Sequence, residues 1–162
     1  MLRQQNRRLW QQPKPLLASG SHSKLLFNLH LLKIAMSHFS QIKTQIRNLS
    51  SLQAALTDLG IDWKPGPQPV RGYRGQTYAA DVVIEQSNGY DVGFSWNGSE
   101  YELVADLQYW NQPTPVDHFL GKVTQRYAFQ TVLNESVQRG FQVSEQQQNA
   151  DGTIRLVLQR WA

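Results

Sequence analysis

The segment best suited to chemistry is Arg71-Gly72-Tyr73-Arg74-Gly75. Arginine supplies forked hydrogen-bond donors, tyrosine supplies a flat stacking surface, and glycine lets a partner approach the backbone. The chain contains no Gly-x-x-x-x-Gly-Lys-Ser/Thr or Gly-x-Gly-x-x-Gly run, so the segment matches neither a phosphate loop nor a dinucleotide site. The pattern predicts either a binding surface or an ordinary surface loop with a tucked tyrosine.

Three aspartates on predicted strands form a second group of candidates: Asp81, Asp91 and Asp106. Paired carboxylates can transfer protons or bind Mg²⁺, although acids on strands ordinarily form the solvated face. Asp106 is the most interesting of the three, because it closely precedes Tyr109 and Trp110. Trp110 lies in a predicted loop, where a tryptophan can mark a contact surface.

The second predicted helix carries the remaining candidates. Arg126 belongs to a row of positive charges, which on a helix usually forms the solvated face, and Tyr127 follows it. Phe129 and Val132 depart from the main apolar stripe, which indicates either broad burial or an exposed patch for a partner, unless a terminal hairpin covers them. The full set of candidate binding residues is Arg71, Tyr73, Arg74, Asp106, Trp110, Arg126 and Tyr127.

Metal and cofactor chemistry has little support in the residue types. The chain has no cysteine, which excludes disulfides, thiolate catalysis, cysteine-ligated zinc and iron–sulfur clusters. None of the four histidines, His22, His30, His38 and His118, has a second ligand at a spacing such as His-x-x-x-His. We therefore predict that the protein binds no metal ion and no cofactor, and we assign no catalytic residue.

The net charge of +4 is distributed unevenly along the chain. Residues 1–35 hold six of the sixteen Lys and Arg residues and no Asp or Glu, so ten basic residues face twelve acidic ones in the rest, which carries −2. A nearly neutral domain is a poor candidate for binding phosphate backbones, which requires clustered Lys and Arg. No apolar run reaches the ~20 residues that cross a bilayer, which predicts a soluble protein.

Residues 1–35 form a predicted leader outside the folded domain. They are basic and rich in Arg, Gln, Leu and Ser, which is typical of a transit peptide. Two other interpretations are a membrane-surface amphipathic segment at residues 25–34 and translation upstream of a true start at Met36. We favour the last of these and predict a single domain over residues 36–162.

The first half of that domain is predicted to hold a strand, a helix and a short second strand. Residues 37–46 alternate in polarity and predict a strand. A Ser-x-x-Gln capping box at Ser50 opens an apolar stripe, which predicts a helix that ends at Gly60. Residues 61–63 predict a strand, and residues 64–75 a loop, since prolines lack the N–H that a sheet needs.

Three strands are predicted next. Residues 78–86 are apolar on both faces, which indicates a central strand. A two-residue turn at Asn97-Gly98 would place Phe94 opposite Tyr101, apolar against apolar. The same arrangement at Asn88-Gly89 pairs apolar with polar residues, so a longer connection is open there.

A second helix and a terminal hairpin complete the fold. Thr114 is the predicted cap, Gly140 the end of the helix, and Asp151-Gly152 the turn of the hairpin. The helix has one apolar stripe, formed by Val116, Phe119, Leu120, Val123 and Tyr127. The order β-α-β-β-β-β-α-β-β predicts an α+β fold, a mainly antiparallel sheet with two helices packed on one face.

Several motifs together resemble a known family. They are Met36-Ser-His-Phe-Ser-Gln-Ile, Gly72-Tyr-Arg-Gly75, Asp91-Val-Gly-Phe94, Gln125-Arg-Tyr127 and Gly152-Thr-Ile-Arg-Leu156. Across residues 36–162 the chain resembles an uncharacterised family of cyanobacteria and algal plastid genomes, known as hypothetical chloroplast reading frame thirty-five. Members typically start at the Met of the first motif, which supports a leader foreign to the fold.

The resemblance implies the cytosol of a cyanobacterium or the stroma of a plastid, and a housekeeping or photosynthesis-linked role. It supplies no catalytic residues, because the family has no established activity. The first hypothesis is thus a non-enzymatic accessory protein that binds another protein. The alternatives are an enzyme or small-ligand binder using Asp106, His118, Arg74 and Tyr127, and an RNA-binding protein using Arg71, Arg74, Lys122 and Arg126.

Overall fold

The computed structural model describes residues 38–160. Its elements, in chain order, are Ser40–Ile46 (β1), Leu49–Asp58 (α1), Lys64–Arg71 (β2), Thr77–Ile84 (β3), Val92–Trp96 (β4), Tyr101–Ala105 (β5), Val116–Gln138 (α2), Phe141–Gln148 (β6) and Ile154–Arg160 (β7). The predicted α+β class and element order are confirmed. The predictions about residues 1–35 lie outside the described residues.

Strands β1 to β5 form one antiparallel sheet in the order β1-β5-β4-β3-β2. Both helices pack on the same side of it, because Leu52 and Leu56 of α1 and Val123 of α2 share one buried cluster with Phe94 and Leu103 of the sheet. The predicted stripe of α2 is confirmed, since all five of its residues are in or against this cluster. Burial of these apolar side chains is the main stabilising term of the fold.

Strand β2 corrects the sequence prediction. Residues 64–71 were predicted as a loop and residues 61–63 as a strand, but the strand is Lys64–Arg71, and residues 61–63 are irregular. Among the described strands, β2 lies at the edge of the sheet and pairs with β3 alone. Its three prolines are tolerated because an edge strand forms its hydrogen-bond ladder on one side only.

Near the turn that joins β2 and β3, the end of β2 packs closely against β4. A Cβ atom added to Gly93 would stand 2.4 Å from Val70 Cγ2 and 2.8 Å from the Cβ of Ala80. The backbone N–H of Asp91, just before β4, donates to the carbonyl of Arg71 at 2.9 Å. The end of β2 and the beginning of β4 are therefore neighbours in space.

Both predicted turns differ from a two-residue hairpin. At Asn97-Gly98 the connection is four residues long, so Phe94 pairs with Leu103 and not with Tyr101. The error is two residues, and side chains keep their faces because their period along a strand is two. Between β3 and β4 the longer connection is confirmed, since Val82 pairs with Phe94.

Both predicted N-caps are wrong, whereas the predicted C-terminal glycines are right. Asn48, not Ser50, caps α1, and its side chain accepts a hydrogen bond from the N–H of Ser51 at 2.9 Å. At α2 the cap position is Pro115, with no side-chain hydrogen bond, in place of Thr114. Gly60 and Gly140 have positive φ angles, as a left-handed helix terminus requires.

The terminal strands β6 and β7 form a separate two-stranded sheet beside α2. Ile154 and Leu156 line an apolar groove together with Phe129 and Val132. Phe129 is buried and Val132 is 43% exposed, so the hairpin covers the off-stripe residues only in part. Among the described helices, none is long and apolar enough to cross a bilayer.

Candidate functional site

The base of the candidate site is an ion pair between Arg71 and Asp91. Arg71 Nε and Nη2 donate to the two carboxylate oxygens of Asp91 at 2.6 and 2.8 Å. The backbone N–H groups of Arg71 and Gln86 donate to the same carboxylate at 3.1 and 3.4 Å. The Asp91 side chain is 1% exposed and that of Arg71 is 51% exposed, so the pair fixes one end of the loop to the sheet.

The carboxylate of Asp91 stays charged despite its burial. Burial alone would raise its pKa, but the hydrogen bonds from the Arg71 side chain and from the backbone N–H groups outweigh that effect and hold the pKa below its usual value. The prediction that strand acids form the solvated face is therefore wrong for Asp91, and also for Asp106, which is buried.

The loop after Arg71 is a closed turn. The N–H of Gly72 donates to the carbonyl of Gln76 at 2.8 Å, and the N–H of Gln76 donates to the carbonyl of Tyr73 at 3.1 Å. A Cβ atom on Gly72 would lie 2.5 Å from the ring of Phe39, so this glycine allows the close contact. At the tip, Arg74 adopts a left-handed backbone conformation with φ 53° and ψ 34°.

The side chains of this turn continue a column of aromatic rings. Tyr73 stacks on Tyr109 with centroids 5.6 Å apart and planes 12° apart, and Tyr109 stacks on Tyr90 at 4.1 Å and 14°. The Arg74 guanidinium lies over Tyr73, 5.1 Å from the ring centroid. We call Arg74, Tyr73, Tyr109 and Tyr90 the arginine–tyrosine stack.

Amide groups hold Tyr109 at the centre of the stack. Asn88 Nδ2 donates to the carbonyl of Tyr109 at 2.8 Å, and the buried Gln86 donates to the carbonyl of Tyr90. Asp106 caps the short turn that carries Tyr109, accepting from the N–H of Gln108. Burial, the neighbouring phenols and Asp106 raise the pKa of Tyr109, so its ring remains neutral.

Three of the predicted site residues lie away from the stack. Trp110 packs edge-on against Phe119 and donates from Nε1 to the carbonyl of Thr114. The hydroxyl of Tyr127 accepts from the backbone N–H groups before α1, and Arg126 lies 4.0 Å from Asp58 of α1. These contacts join helices and core. Of the predicted site residues, four remain at the stack: Arg71, Tyr73 and Arg74 in the turn after β2, and Asp106, which caps the turn of Tyr109.

The four side chains proposed for an enzyme site, Asp106, His118, Arg74 and Tyr127, line none of four cavities that the described residues form. Between residues 38 and 160, no group of three or more His, Asp or Glu side chains is placed to hold a metal ion. The arginine–tyrosine stack is thus the candidate site that the geometry assembles.

Comparison with known proteins places these residues in a family. The sequence profile described as "Protein of unknown function (DUF1257)" matches residues 55–157, a span that includes the whole arginine–tyrosine stack. The chain belongs to the DUF1257 family. The family resemblance inferred from the motifs is thereby confirmed.

Three relatives of this DUF1257 chain match about four fifths of it and nearly their own whole length. It is 48% identical to the uncharacterized protein ycf35 of Guillardia theta and 45% identical to that of Cyanophora paradoxa. Each match spans 126 residues, 78% of this chain and 98% of the relative. The uncharacterized protein ycf35 of Pyropia yezoensis is 40% identical over the same share. No solved structure matches the chain.

Sequence reasoning missed Tyr90, Gln86 and the role of Asp91. Residues 73, 90 and 109 belong to three separate connections, so only the folded sheet brings their rings together. The one local signal was the short distance in sequence between Asp106 and Tyr109, which led us to single out Asp106. For Asp91 we expected the solvated face that is ordinary for acids on strands, and nothing in the sequence showed that Arg71 at the end of β2 pairs with it.

Proposed function

We propose that this member of the DUF1257 family is a non-enzymatic accessory protein that binds another protein through its arginine–tyrosine stack. Its role would lie in the assembly or regulation of a photosynthetic or redox system. The observation that carries the proposal is the column of Arg74, Tyr73, Tyr109 and Tyr90, built on a turn that an ion pair fixes to the sheet.

The composition of the stack and the contacts that hold its residues support a protein partner. Tyrosine and arginine are, with tryptophan, enriched at the energetic centres of protein interfaces. A surface that is already ordered loses less entropy when it binds than a mobile one. Residues 36–162 carry a net charge of −2, which favours a protein partner over a phosphate backbone.

A single-stranded RNA partner is the second candidate, because bases stack on tyrosine rings and on guanidinium planes. Two observations weigh against it. Arg71 is already paired with Asp91, and Arg126 lies beside Asp58, so two of the four cations named for RNA binding have acidic neighbours. The remaining two, Arg74 and Lys122, belong to different elements, the turn after β2 and the helix α2.

The relatives support the cellular setting of the proposal. They are plastid-encoded, which fits a partner in the plastid stroma or in the cytosol of a cyanobacterium. Proteins of those compartments are therefore the proper source of candidate partners.

Affinity capture tests the proposal. The full chain is immobilised and exposed to native extract of an organism that carries the gene, and retained proteins are quantified for the wild type, Tyr73→Ala and Arg74→Glu. Lys43→Glu is the matched control, because Lys43 is an exposed cation on β1. We expect a partner that the control retains and the two stack variants lose; equal retention by all four proteins would contradict the proposal.

A further inference from the structure

We infer that the arginine–tyrosine stack recognises a carboxylate on an acidic segment of its partner protein, and that Arg74 is the residue that binds it. The inference rests on the proposed function and names the chemistry of the partner. It follows from the charge state of the loop, from the backbone at Arg74 and from the placement of the guanidinium.

Of the two arginines, Arg71 is paired with an acidic side chain and Arg74 is not, within the part of the chain that the structure describes. The guanidinium of Arg71 is bound through two hydrogen bonds by the buried carboxylate of Asp91. Among residues 38–160, Arg74 takes part in no ion pair, although its side chain is exposed. The loop therefore presents one positive charge that an incoming anion can neutralise.

The backbone at Arg74 is costly for an arginine. A left-handed φ brings Cβ close to the following carbonyl, which destabilises every residue except glycine. Glycine would fit this position, as it does at Gly75, where φ is 76°. A strained residue that the surrounding structure holds in place is a reason to expect a role for its side chain.

Among residues 38–160, no hydrogen bond or ion pair engages the Arg74 guanidinium, whose central carbon lies 5.1 Å from the Tyr73 ring centroid. A guanidinium that lies against a ring can still donate hydrogen bonds from the N–H groups at its edge. That arrangement suits a carboxylate, which accepts two parallel hydrogen bonds from arginine. The nearby acids do not compete, because Asp91 is paired with Arg71 and Asp106 is buried, and the phenol of Tyr109 is neutral.

Peptide binding to the full chain provides the test. The probe is the blocked pentapeptide Glu-Glu-Phe-Glu-Glu, followed by ¹H–¹⁵N NMR, with Gln-Gln-Phe-Gln-Gln as the uncharged match. We expect the acidic peptide to shift the side-chain N–H of Arg74 and the amide of Tyr73. Arg74→Gln should weaken binding about tenfold, Arg74→Lys should weaken it less, and Lys43→Gln should leave it unchanged.

Each other outcome overturns the inference. Three outcomes would show that Arg74 does not recognise a carboxylate. They are equal binding of the acidic and glutamine peptides, equal binding of the acidic peptide to the wild type and Arg74→Gln, and no chemical-shift change at millimolar peptide. Tighter binding of an oligouridine at the same residues would identify phosphate instead. If extract capture depends on Tyr73 while the acidic peptide fails to bind, the protein-binding proposal stands and this inference falls. If capture fails while the peptide binds, Arg74 is a carboxylate site, but both the protein-binding proposal and the assignment of that carboxylate to a partner protein fall.

Discussion

Arg71 and Arg74 lie three residues apart in one loop, yet their surroundings give them different functions. Arg71 forms an ion pair with Asp91 and so connects the end of β2 to the beginning of β4. Arg74 stands on a left-handed backbone over Tyr73 and keeps its charge available. The first arginine thus stabilises the site, and the second is the one that we expect to act on a partner.

The ion pair leads to a prediction about pH. The folded-state pKa of Asp91 is depressed, so its stabilising effect is present above the unfolded pKa of about 4 and is lost as the pH falls through the lower folded value. Asp91→Asn should lower the free energy of unfolding by about 2 kcal/mol near neutral pH. Urea denaturation should show that this difference in unfolding free energy narrows as the pH falls below the unfolded pKa of about 4. A difference independent of pH would show that the shape of the Asp91 side chain, and not its charge, stabilises the fold.

The backbone of Arg74 leads to a second prediction. Arg74→Gly and Arg74→Ala both remove the guanidinium, but only glycine relieves the left-handed conformation. The glycine variant should therefore unfold with a free energy about 1 kcal/mol higher than that of the alanine variant. Chemical denaturation of the two proteins measures the difference, and equal stabilities would mean that the turn relaxes without cost.

At the scale of elements, the sequence predicts the helices and strands that show a local periodicity. It does not predict an element whose formation depends on its place in the sheet. The stripe of α2 and the alternation of β1 are visible in sequence because they repeat at 3.6 and 2 residues. The strand β2 is hidden, since its prolines are acceptable only at an edge that the sequence does not reveal. Asn48 and Ser50 are both good caps two residues apart, and local preference does not choose between them.

The close approach of two strands can be tested through a glycine. A methyl group at Gly93 would meet Val70 and Ala80 at distances that atoms do not adopt, so Gly93→Ala should lower the free energy of unfolding by about 2 kcal/mol. Gly121 lies inside α2 with nothing within 4 Å of an added Cβ, and Gly121→Ala should raise it by about 1 kcal/mol. Thermal denaturation distinguishes the two signs, and a neutral Gly93→Ala would mean that the β2–β3 hairpin moves away easily.

For the molecule as a whole, one sheet brings separate connections together. Tyr73 follows β2, Tyr90 precedes β4 and Tyr109 follows β5, and their rings meet in one column. All three residues fall inside the span 55–157 that matches the family profile. The candidate surface is therefore a property of the folded domain, and the six positive charges of residues 1–35 are not needed to build it.

Deletion of residues 1–35 tests the domain boundary and the charge argument together. The helix-side core uses residues from Ile42 to Tyr127, and relatives are matched over 98% of their length by 126 residues of this chain. We expect the shortened protein to keep its melting temperature, because none of those core residues is removed. It should also keep its affinity for the acidic peptide, although its net charge falls from +4 to −2. A fall in melting temperature of several degrees, which corresponds to about 1 kcal/mol, would mean that the boundary is wrong. Weaker peptide binding at an unchanged melting temperature would mean that general positive charge, and not Arg74, attracts the carboxylates.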